Sequence, residues 1–385
     1  MYLRKIFVVT FFCFFNRLNI FSNVVDVVPE QQLEEINYLL DTNLEAPITN
    51  TDSIVNNTNN INNISHTDST DSISSTNTLE YIPIESFFYA DTQRYIITGG
   101  TPLFETKIKP VTISIFSGAL VGAFVLQHQL QMNTIWKEHS PFKIQEDYKE
   151  ELLLDKAGHF YGVYATSYLF REVLVASGFG WNAANNWGAA LGTAYSTYVE
   201  ILDGFGESWG FSPSDWYADI AGGLFFAAQN FFPSLQNFTP KFMFVPSKWT
   251  GNEPRIPHEI FIDDYSSQTF FISVNVYNLL PEKWQRWYPD WLELSVGYAV
   301  RNLIVMGSDE AVGKKPCAEC ITWDNNSWGS PRLIFALDYN MVKILPDGSN
   351  LWNWFKQTLN LFKFPAPALE IGKKVRFYLL FPFDI

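Results

Sequence analysis

The sequence is poor in cysteine and in charged residues. It has three cysteines in 385 residues, and Asp, Glu, Lys and Arg together make up 17%. These values exclude a disulfide-dense mini-protein and a charge-rich coiled coil, and 47% hydrophobic residues exclude a chain that is disordered throughout. No G-x-S-x-G, H-E-x-x-H or Walker-type motif occurs, so no local signature points to a particular catalytic family.

Basic residues are missing from one long stretch near the N-terminus. Residues 18–93 contain twelve acidic side chains and no Lys or Arg, so they carry −12 of the formal net charge of −14. The rest of the chain is nearly neutral and rich in aromatic residues, which argues against nucleic acid and favours a membrane or an apolar ligand. Because Asn, Ser, Thr and Asp dominate 43–78, we predict a flexible linker over 23–80.

The first 22 residues have the layout of a secretory signal peptide. A basic start over 1–5 precedes an apolar run over 6–15, which is too short to cross a bilayer. A buried N-terminal helix is the alternative. Cys13 lacks the small preceding residues of a lipid-modified cysteine, so no lipoprotein anchor is predicted. For the remaining Cys317 and Cys320, an oxidising compartment favours a local disulfide over a metal-binding or redox role.

Four apolar segments with helical character lie between residues 81 and 240. They cover 111–128, 157–176, 182–202 and 216–235. Small residues four apart, such as Gly188 and Gly192, let helix backbones approach closely in lipid. We therefore predict a membrane-associated bundle of three to four helices. Only the first segment indicates a transmembrane helix by its length and lack of charge, so a compact bundle against the membrane and four full spans both stay open.

After residue 240 the apolar pattern changes to a period of two. Leu294 and Val296 alternate with small or polar residues. Three other segments, 270–276, 333–339 and 375–381, alternate in the same way. We predict an α+β fold in which an antiparallel sheet of five to six strands over 241–385 follows the helices. Outer-membrane barrels need about eight strands, so a closed barrel is not predicted. Aromatic clusters around Pro289 and Trp352 suit either a membrane interface or ordinary packing.

The apolar helical segments carry pairs of ionisable residues at helical spacing. The pairs are Asp155 with His159, Glu200 with Asp203, and Asp215 with Asp219, and Lys156 lies beside the first. Residues three or four apart share a helix face, and an up-and-down bundle would bring the pairs to one end. Because ionisable groups are costly in apolar surroundings, we predict a polar centre there. The candidate site residues are Asp155, His159, Glu200, Asp203 and Asp215.

Three interpretations of this centre stay open. Carboxylates together with one imidazole can hold a divalent cation. Alternatively, His159 oriented by a carboxylate can transfer protons. A purely structural network is the third interpretation, since Asp155 and Asp215 lie at helix starts, where an acidic side chain caps free N–H groups. The sequence assigns no metal and no cofactor to the centre.

The segments that contain these residues resemble an uncharacterised family of the cell envelope. The resemblance rests on Asp155-Lys156-Ala157-Gly158-His159-Phe160, Glu200-Ile201-Leu202-Asp203-Gly204-Phe205, Trp209-Gly210-Phe211-Ser212 with Asp215, and later pieces such as Pro289-Asp290-Trp291-Leu292 and Leu337-Asp338-Tyr339-Asn340. It is similar to the YfiM-like family, described as predicted periplasmic lipoproteins. The order of Asp, Lys, His, Glu and Asp is also similar to VanZ-like membrane proteins, which are linked to glycopeptide resistance, although the Arg between their Glu and later Asp is absent here. Neither resemblance implies an established reaction.

These observations predict an exported, membrane-associated protein of the cell envelope that faces the periplasm, and the strand-rich C-terminal region favours the outer membrane. The expected role is non-enzymatic, with lipid or an amphipathic envelope component as the partner and no nucleic acid. The alternative is a membrane-associated hydrolase or transferase that acts on an envelope lipid or glycan through Asp155, His159, Glu200 and Asp215. The oligomeric state is left open.

Overall fold

The computed structural model describes residues 80–134, 136–257, 263–305, 311–323 and 327–383. The predicted signal peptide over 1–22 lies outside these residues, and so does the predicted linker apart from residue 80. The proposed division into a helical region over 81–240 and a β-rich region over 241–385 stays a prediction. The α+β class is confirmed, since the described residues contain both long helices and an antiparallel sheet.

Four long helices follow a short two-stranded ribbon. The ribbon pairs β1 (Phe88–Tyr89) with β2 (Thr92–Gln93), and the helices are α1 (Pro110–Asn133), α2 (Leu154–Ala176), α3 (Trp181–Asp203) and α4 (Pro213–Phe231). Pro213 occupies the first position of α4, where its missing N–H breaks no hydrogen bond. The Ser212 hydroxyl caps this helix by accepting from the Asp215 N–H at 3.3 Å. The helix ends before Pro233 rather than at residue 235, because proline cannot continue it.

Helices α2, α3 and α4 pack against one another through small residues. A Cβ atom at Gly192 would lie 2.4 Å from Ser167 Oγ, and one at Gly222 would lie 2.3 Å from the Phe160 carbonyl oxygen. Neither position has room for a larger side chain at this helix separation. The small residues thus allow the close approach that brings ionisable groups of three helices together.

Helix α1 differs from the other three in its exposure. It is the one helix among the described residues that is long and apolar enough to cross a membrane. None of its residues with a described burial is buried, and it contains no Asp, Glu, Lys or Arg. The exposed side chains include Val111, Ile115, Val121 and Leu130. One side of α1 contacts α2 and α3, where the Phe124 ring stacks on Tyr195 at 4.8 Å, and its other sides expose apolar side chains.

An antiparallel sheet of seven strands forms the C-terminal half. Its strands are β3 (Phe238–Phe244), β4 (Gln268–Val274), β5 (Leu292–Ile304), β6 (Ile321–Thr322), β7 (Trp328–Tyr339), β8 (Ala368–Ile371) and β9 (Val375–Tyr378). The order is β3-β4-β5-β7-β8-β9, and β6 pairs with β7. The predicted count of five to six strands is therefore wrong. Strand β6 is too short to show a period of two in the sequence, and three of the four residues of β8 are apolar, which hides its alternation.

Short helices connect the strands. They are α5 (Val276–Leu279), α6 (Glu282–Gln285), α7 (Met341–Ile344) and α8 (Asn350–Leu359), with 3₁₀ turns at Ile84–Ser86, Glu150–Leu153, Pro233–Asn237, Ser247–Thr250 and Tyr265–Ser267. The structure joins Cys317 and Cys320 by a disulfide, as the sequence indicates for an oxidising compartment. Of the aromatic residues around Pro289, Trp284 and Trp287 are exposed.

One face of the seven-stranded sheet is apolar and exposed. A row of paired residues crosses five strands and consists of Ile272, Val296, Phe335, Leu369 and Phe377. All five are exposed, and the same face also exposes Leu294, Leu333, Leu337 and Val375. We call these nine residues the apolar face. In a soluble protein the apolar face of a sheet is usually the buried one, whereas these nine residues are exposed.

The opposite face of the sheet is buried and mixes apolar with charged side chains. Lys241, Glu293 and Asp338 lie there with less than 3% exposure each, next to an apolar cluster that includes Phe271 and Ile334. On the other side, at one end of the sheet, α2 packs on strands β3 and β4 through rings such as Tyr161 on Phe242 at 5.5 Å. Phe242 pairs with Phe270, which lies on the same side of the sheet as Ile272. The helices therefore cover one end of the side that carries the apolar face and leave the apolar face itself exposed.

Candidate functional site

The structure places His159 at the meeting point of α2, α3 and α4. Its Nδ1 lies 3.1 Å from Asp219 Oδ1 and 3.5 Å from Glu200 Oε1. Its Nε2 lies 3.6 Å from Asp155 Oδ1 and 3.8 Å from Asp215 Oδ1. Both ring nitrogens thus face carboxyl groups, which come from all three helices. We call His159, Lys156 and the carboxyl groups around them the helical cluster.

Four of the five predicted site residues come together in this way, and Asp203 does not. The Asp203 carboxylate accepts a hydrogen bond from Trp136 Nε1 and forms no ion pair with any described residue. It lies one helical turn from Glu200 on the same face of α3. Asp219, which sequence spacing places beside Asp215, is the acid closest to the imidazole. The catalytic or binding role of all these residues stays a prediction.

Lys156 supplies the second positive charge of the helical cluster. Its ammonium group contacts Asp215 at 2.6 Å and Asp155 at 3.2 Å, and it also pairs with Asp147. Asp147 comes from the connection before α2, and Ser212 holds it by donating a hydrogen bond from its hydroxyl at 2.6 Å. These contacts connect the segment before α2 with the first residues of α2 and α4.

Asp147 and Tyr265 belong to the helical cluster but are missing from the sequence prediction. The Tyr265 hydroxyl donates to Asp155 Oδ1 from the 3₁₀ turn before β4. No spacing rule relates residue 265 to residue 155, because the contact depends on how α2 packs on the sheet. Asp147 precedes its helix in an irregular segment, where no periodicity marks a face.

A strained turn positions the start of α2. Glu151, Leu152 and Leu153 all adopt positive φ angles of 48°, 54° and 68°, which residues with a side chain rarely do. Such a conformation persists where surrounding contacts hold it. Here Arg255 Nη2 contacts the buried Glu151 carboxylate at 2.6 Å, and the Tyr298 hydroxyl donates to the Leu152 carbonyl at 2.7 Å. These contacts come from the sheet region and fix the helix that carries Asp155 and His159.

Carboxyl groups outnumber the cations of the helical cluster. Five carboxyl groups face the two cations Lys156 and His159. The five are Asp147, Asp155, Glu200, Asp215 and Asp219. Burial raises the pKa of Glu200 to about 8 and that of Asp203 to about 6. Burial and the nearby charge of Asp155 raise the pKa of Asp215 to about 9. Glu200 and Asp215 therefore keep their protons at neutral pH.

The charged forms of His159 and Asp155 stabilise each other. Burial by itself lowers the pKa of His159, but the charge of Asp155 and the hydrogen bond to Asp219 outweigh it, so the pKa lies well above 6.5. Burial by itself raises the pKa of Asp155. The charges of His159 and Lys156, together with the Tyr265 hydrogen bond, outweigh burial and hold that pKa below its ordinary value. The cluster consequently contains an imidazolium between ionised and protonated acids.

Two sets of side chains in the cluster have the geometry to hold a divalent cation. They are Asp155, His159 and Asp215, and His159, Glu200 and Asp219, and within each set the ligand atoms lie within 4.8 Å of one another. Lys156 already places a positive charge against both acids of the first set. The second set has no contact with Lys156 or any other described Lys or Arg, and Asp219 Oδ2 is buried without a hydrogen-bond partner among the described residues. One imidazole with two carboxylates suits a borderline or hard cation.

Comparison with known proteins matches the segment that contains the helical cluster. Residues 145–230 match the model of a family described as "Predicted periplasmic lipoprotein (DUF2279)". The match covers every cluster residue from Asp147 to Asp219, whereas Tyr265 lies beyond it. No curated protein and no solved structure matches the chain. Similarity to VanZ-like membrane proteins is not shown by these comparisons. Over residues 145–230 the chain is thus similar to an uncharacterised family of envelope lipoproteins, which supports an exported protein of the cell envelope.

Proposed function

We propose that this is a non-enzymatic protein of the outer membrane that engages lipid, or an amphipathic envelope component, through the apolar face of its sheet and through α1. The observation that carries the proposal is the exposed row from Ile272 to Phe377 across five strands. Soluble proteins rarely expose an apolar patch of this extent. In membranes the reverse holds, because strands there turn apolar side chains to lipid and polar ones inward.

The chemistry of both sheet faces supports contact with hydrocarbon. No charged residue occurs among the nine residues of the apolar face, while the opposite face buries Lys241, Glu293 and Asp338. Transfer of apolar surface out of water is favourable by roughly 25 cal/mol per Å². Polar groups gain nothing from the same transfer. A membrane therefore stabilises this orientation of the sheet and not the opposite one.

Helix α1 supports the same proposal independently. Its 24 residues would extend about 36 Å at 1.5 Å per residue, against a hydrocarbon thickness of about 30 Å. The helix exposes apolar side chains along its length, apart from the side that contacts α2 and α3 through rings such as Phe124. Trp284 and Trp287 are exposed as well, and indole rings favour the interface between lipid and water.

Photo-crosslinking to lipid tests the proposal. The full chain is reconstituted in vesicles of phosphatidylethanolamine and phosphatidylglycerol that contain a phospholipid with a diazirine in its acyl chain. We expect crosslinked lipid on the peptides with Val296 and Phe335. The exposed Val312, which lies outside the sheet strands, serves as an internal control and stays unlabelled. Equal labelling of Val312 and the apolar face, or none on the apolar face, would contradict the proposal.

A second candidate function is acid–base catalysis by a hydrolase or transferase on an envelope lipid or glycan. The favouring observation is the position of His159, whose two ring nitrogens face different carboxyl groups while its side chain stays 22% exposed. An imidazole held in this way can exchange protons with a bound substrate. Asp155 would balance its charge, and Glu200 and Asp215 would orient it.

The His159→Gln variant separates the two candidates. Radiolabelled envelope lipids and glycans are incubated with the full chain, and their products are followed by chromatography. Catalysis predicts a product with the wild type and a loss by a factor of roughly 10²–10⁴ in the variant. The exposed His139 provides the matched control His139→Gln, which should keep full activity. Absence of any product with the wild type would remove the enzymatic candidate and leave the lipid-binding one.

A further inference from the structure

A polar cavity lies between the helices, the β1–β2 ribbon and the sheet, away from the helical cluster. Its volume is about 70 Å³, and its lining includes Tyr89, Arg94, Tyr164, Arg171, Asn275 and Asn360. One buried water needs roughly 10–15 Å³ by the same measure. The cavity therefore has room for an ion with several oxygen atoms.

Arg94 is a buried cation in the wall of this cavity without a partner of opposite charge. It is 7% exposed and forms no ion pair with any described residue. Its guanidinium carbon lies 4.2 Å from the centre of the Tyr89 ring, and its Nε has no hydrogen-bond partner in the described part of the chain. A buried cation is costly unless it is paired and hydrogen-bonded. An anion bound beside Arg94 would lower that cost.

The other charged groups of the cavity do not supply that anion. Arg171, also in the wall, contacts the Glu172 carboxylate at 2.8 Å, which leaves one carboxylate for two guanidinium groups. Glu293 is the single acid in the lining, and Lys241 neutralises it at 2.8 Å. The cavity thus keeps one surplus positive charge, located at Arg94.

A second donor in the wall also lacks a partner. Asn275 is 3% exposed and its Nδ2 has no hydrogen-bond partner among the described residues. Its Oδ1 is occupied, because it accepts from the Asn278 N–H at 3.3 Å. The unsatisfied groups of the cavity wall are therefore both N–H donors, on Arg94 and Asn275. An unpaired buried donor costs about 1–3 kcal/mol, and a ligand rich in acceptors would remove that cost at both.

We infer that this cavity binds a phosphate group, with Arg94 and Arg171 as its charged contacts and Asn275 as a neutral donor. The forked guanidinium group matches the oxygens of a phosphate in geometry and in charge. Free phosphate and the headgroup of a phospholipid share this chemistry. The inference does not depend on the proposed contact between the apolar face and lipid, since none of the cavity residues belongs to that face.

Titration calorimetry of the full chain in detergent tests the inference. Inorganic phosphate is the first probe, and water-soluble dihexanoyl phosphatidylglycerol is the second. We expect the Arg94→Gln variant to weaken the binding of the active probe about tenfold or more, because it removes a charge-assisted contact. The control Arg286→Gln removes the same charge from an exposed position and should leave the dissociation constant unchanged.

The two probes distinguish the sources of the phosphate. Binding of inorganic phosphate that the lipid cannot displace indicates the free ion, whereas tighter binding of the lipid, also weakened by Arg94→Gln, indicates a headgroup. The inference is overturned if neither probe binds, or if Arg94→Gln and Arg286→Gln bind alike.

A second variant covers the case in which Arg94→Gln does not fold. Asn275→Asp keeps both the shape and the oxygen that accepts from Asn278, but it adds a negative charge to the cavity. We expect this variant to lose phosphate binding by about tenfold or more through like-charge repulsion. Unchanged binding in a folded Asn275→Asp variant would equally overturn the inference.

Discussion

The helical cluster and the interior of the sheet both contain a network of buried charged side chains, and only the network around Lys241 in the sheet is balanced. In the sheet, Lys241 contacts Glu293 at 2.8 Å and Asp338 at 3.3 Å, and Lys363 contacts Asp338 at 3.5 Å. Two cations thus face two anions. In the helical cluster, five carboxyl groups face the two cations Lys156 and His159.

This difference separates a structural network from a candidate functional one. Buried charges that neutralise each other are explained by the fold alone. A surplus of buried carboxyl groups is stable only while some of them hold protons or share a cation, so it is not explained by the stability of the fold. Perturbed ionisable groups of this kind cluster at functional sites, and the helical cluster is where such a site is to be sought.

The largest effect is expected from breaking the balanced network of the sheet. Lys241→Met leaves Glu293 buried without its cation and leaves Asp338 with Lys363 alone. We expect the free energy of unfolding to fall by about 3–5 kcal/mol, as for other buried pairs that lose one partner. Urea unfolding in detergent, followed by Trp fluorescence, measures the change. Lys248→Met, which removes an exposed lysine, is the control, and equal losses in the two variants would contradict a balanced interior.

Removal of one ionisable carboxyl group from the helical cluster should have the opposite sign. Glu200→Gln mimics the protonated acid, and Glu200 has its pKa raised from 4.5 to about 8, mainly by burial. At pH 8 this group is fully ionised in the unfolded state but only about half ionised in the folded state, so we expect the variant to be more stable by about 1–3 kcal/mol. The matched control is Glu253→Gln at an exposed position. A less stable Glu200→Gln protein would show that the carboxylate form is required by the fold.

The pH dependence of the wild type follows from the same groups. The raised pKa values of Glu200 and Asp215, about 8 and about 9, make the free energy of unfolding fall as pH rises above 5. His159 acts in the same direction, because stability from a raised histidine pKa is complete below pH 6.5 and is lost as pH rises through the folded value. Asp155, with its lowered pKa, contributes stability that is lost only on acidification below about 4. Thermal unfolding between pH 5 and pH 9 should therefore show a declining midpoint, which Glu200→Gln flattens, and a rising midpoint would contradict these assignments.

The smallest effect is expected on the apolar face. Leu294 is 44% exposed and packs on little protein, so Leu294→Ala should change the free energy of unfolding in detergent by less than about 1 kcal/mol. Ile334→Ala on the buried face is the control, with an expected loss of about 2–5 kcal/mol. Similar losses at both positions would mean that other parts of the chain cover the apolar face.

Much of the fold is predictable from local periodicity. The helical segments are recognisable because apolar and small residues recur three and four positions apart, and α2, α3 and α4 form within a few residues of the predicted ranges. The longer strands follow from their period of two. Strand β6 escapes prediction because two residues do not define a period, and β8 does because three of its four residues are apolar.

The orientation of the sheet and part of the site could not be predicted. Alternation along Leu294, Ser295 and Val296 shows that β5 has two faces, but it does not reveal which one is buried. In this strand the polar Ser295 is buried, and the two apolar residues are exposed. Pairs such as Asp155 and His159 follow from helical spacing. Tyr265 reaches Asp155 across 110 residues of sequence, and only the packing of α2 on the sheet brings the two together.

Cysteine labelling tests most directly whether the apolar face lies in lipid. Val296→Cys and Val312→Cys place a thiol on the apolar face and on an exposed residue outside it, and the wild type measures the background of the native cysteines. In vesicles of phosphatidylethanolamine and phosphatidylglycerol, we expect a charged maleimide to react at least about tenfold more slowly with Val296→Cys, because the reactive thiolate needs water. In denaturant the two variants should react alike. Equal rates in vesicles would contradict the membrane orientation of the sheet.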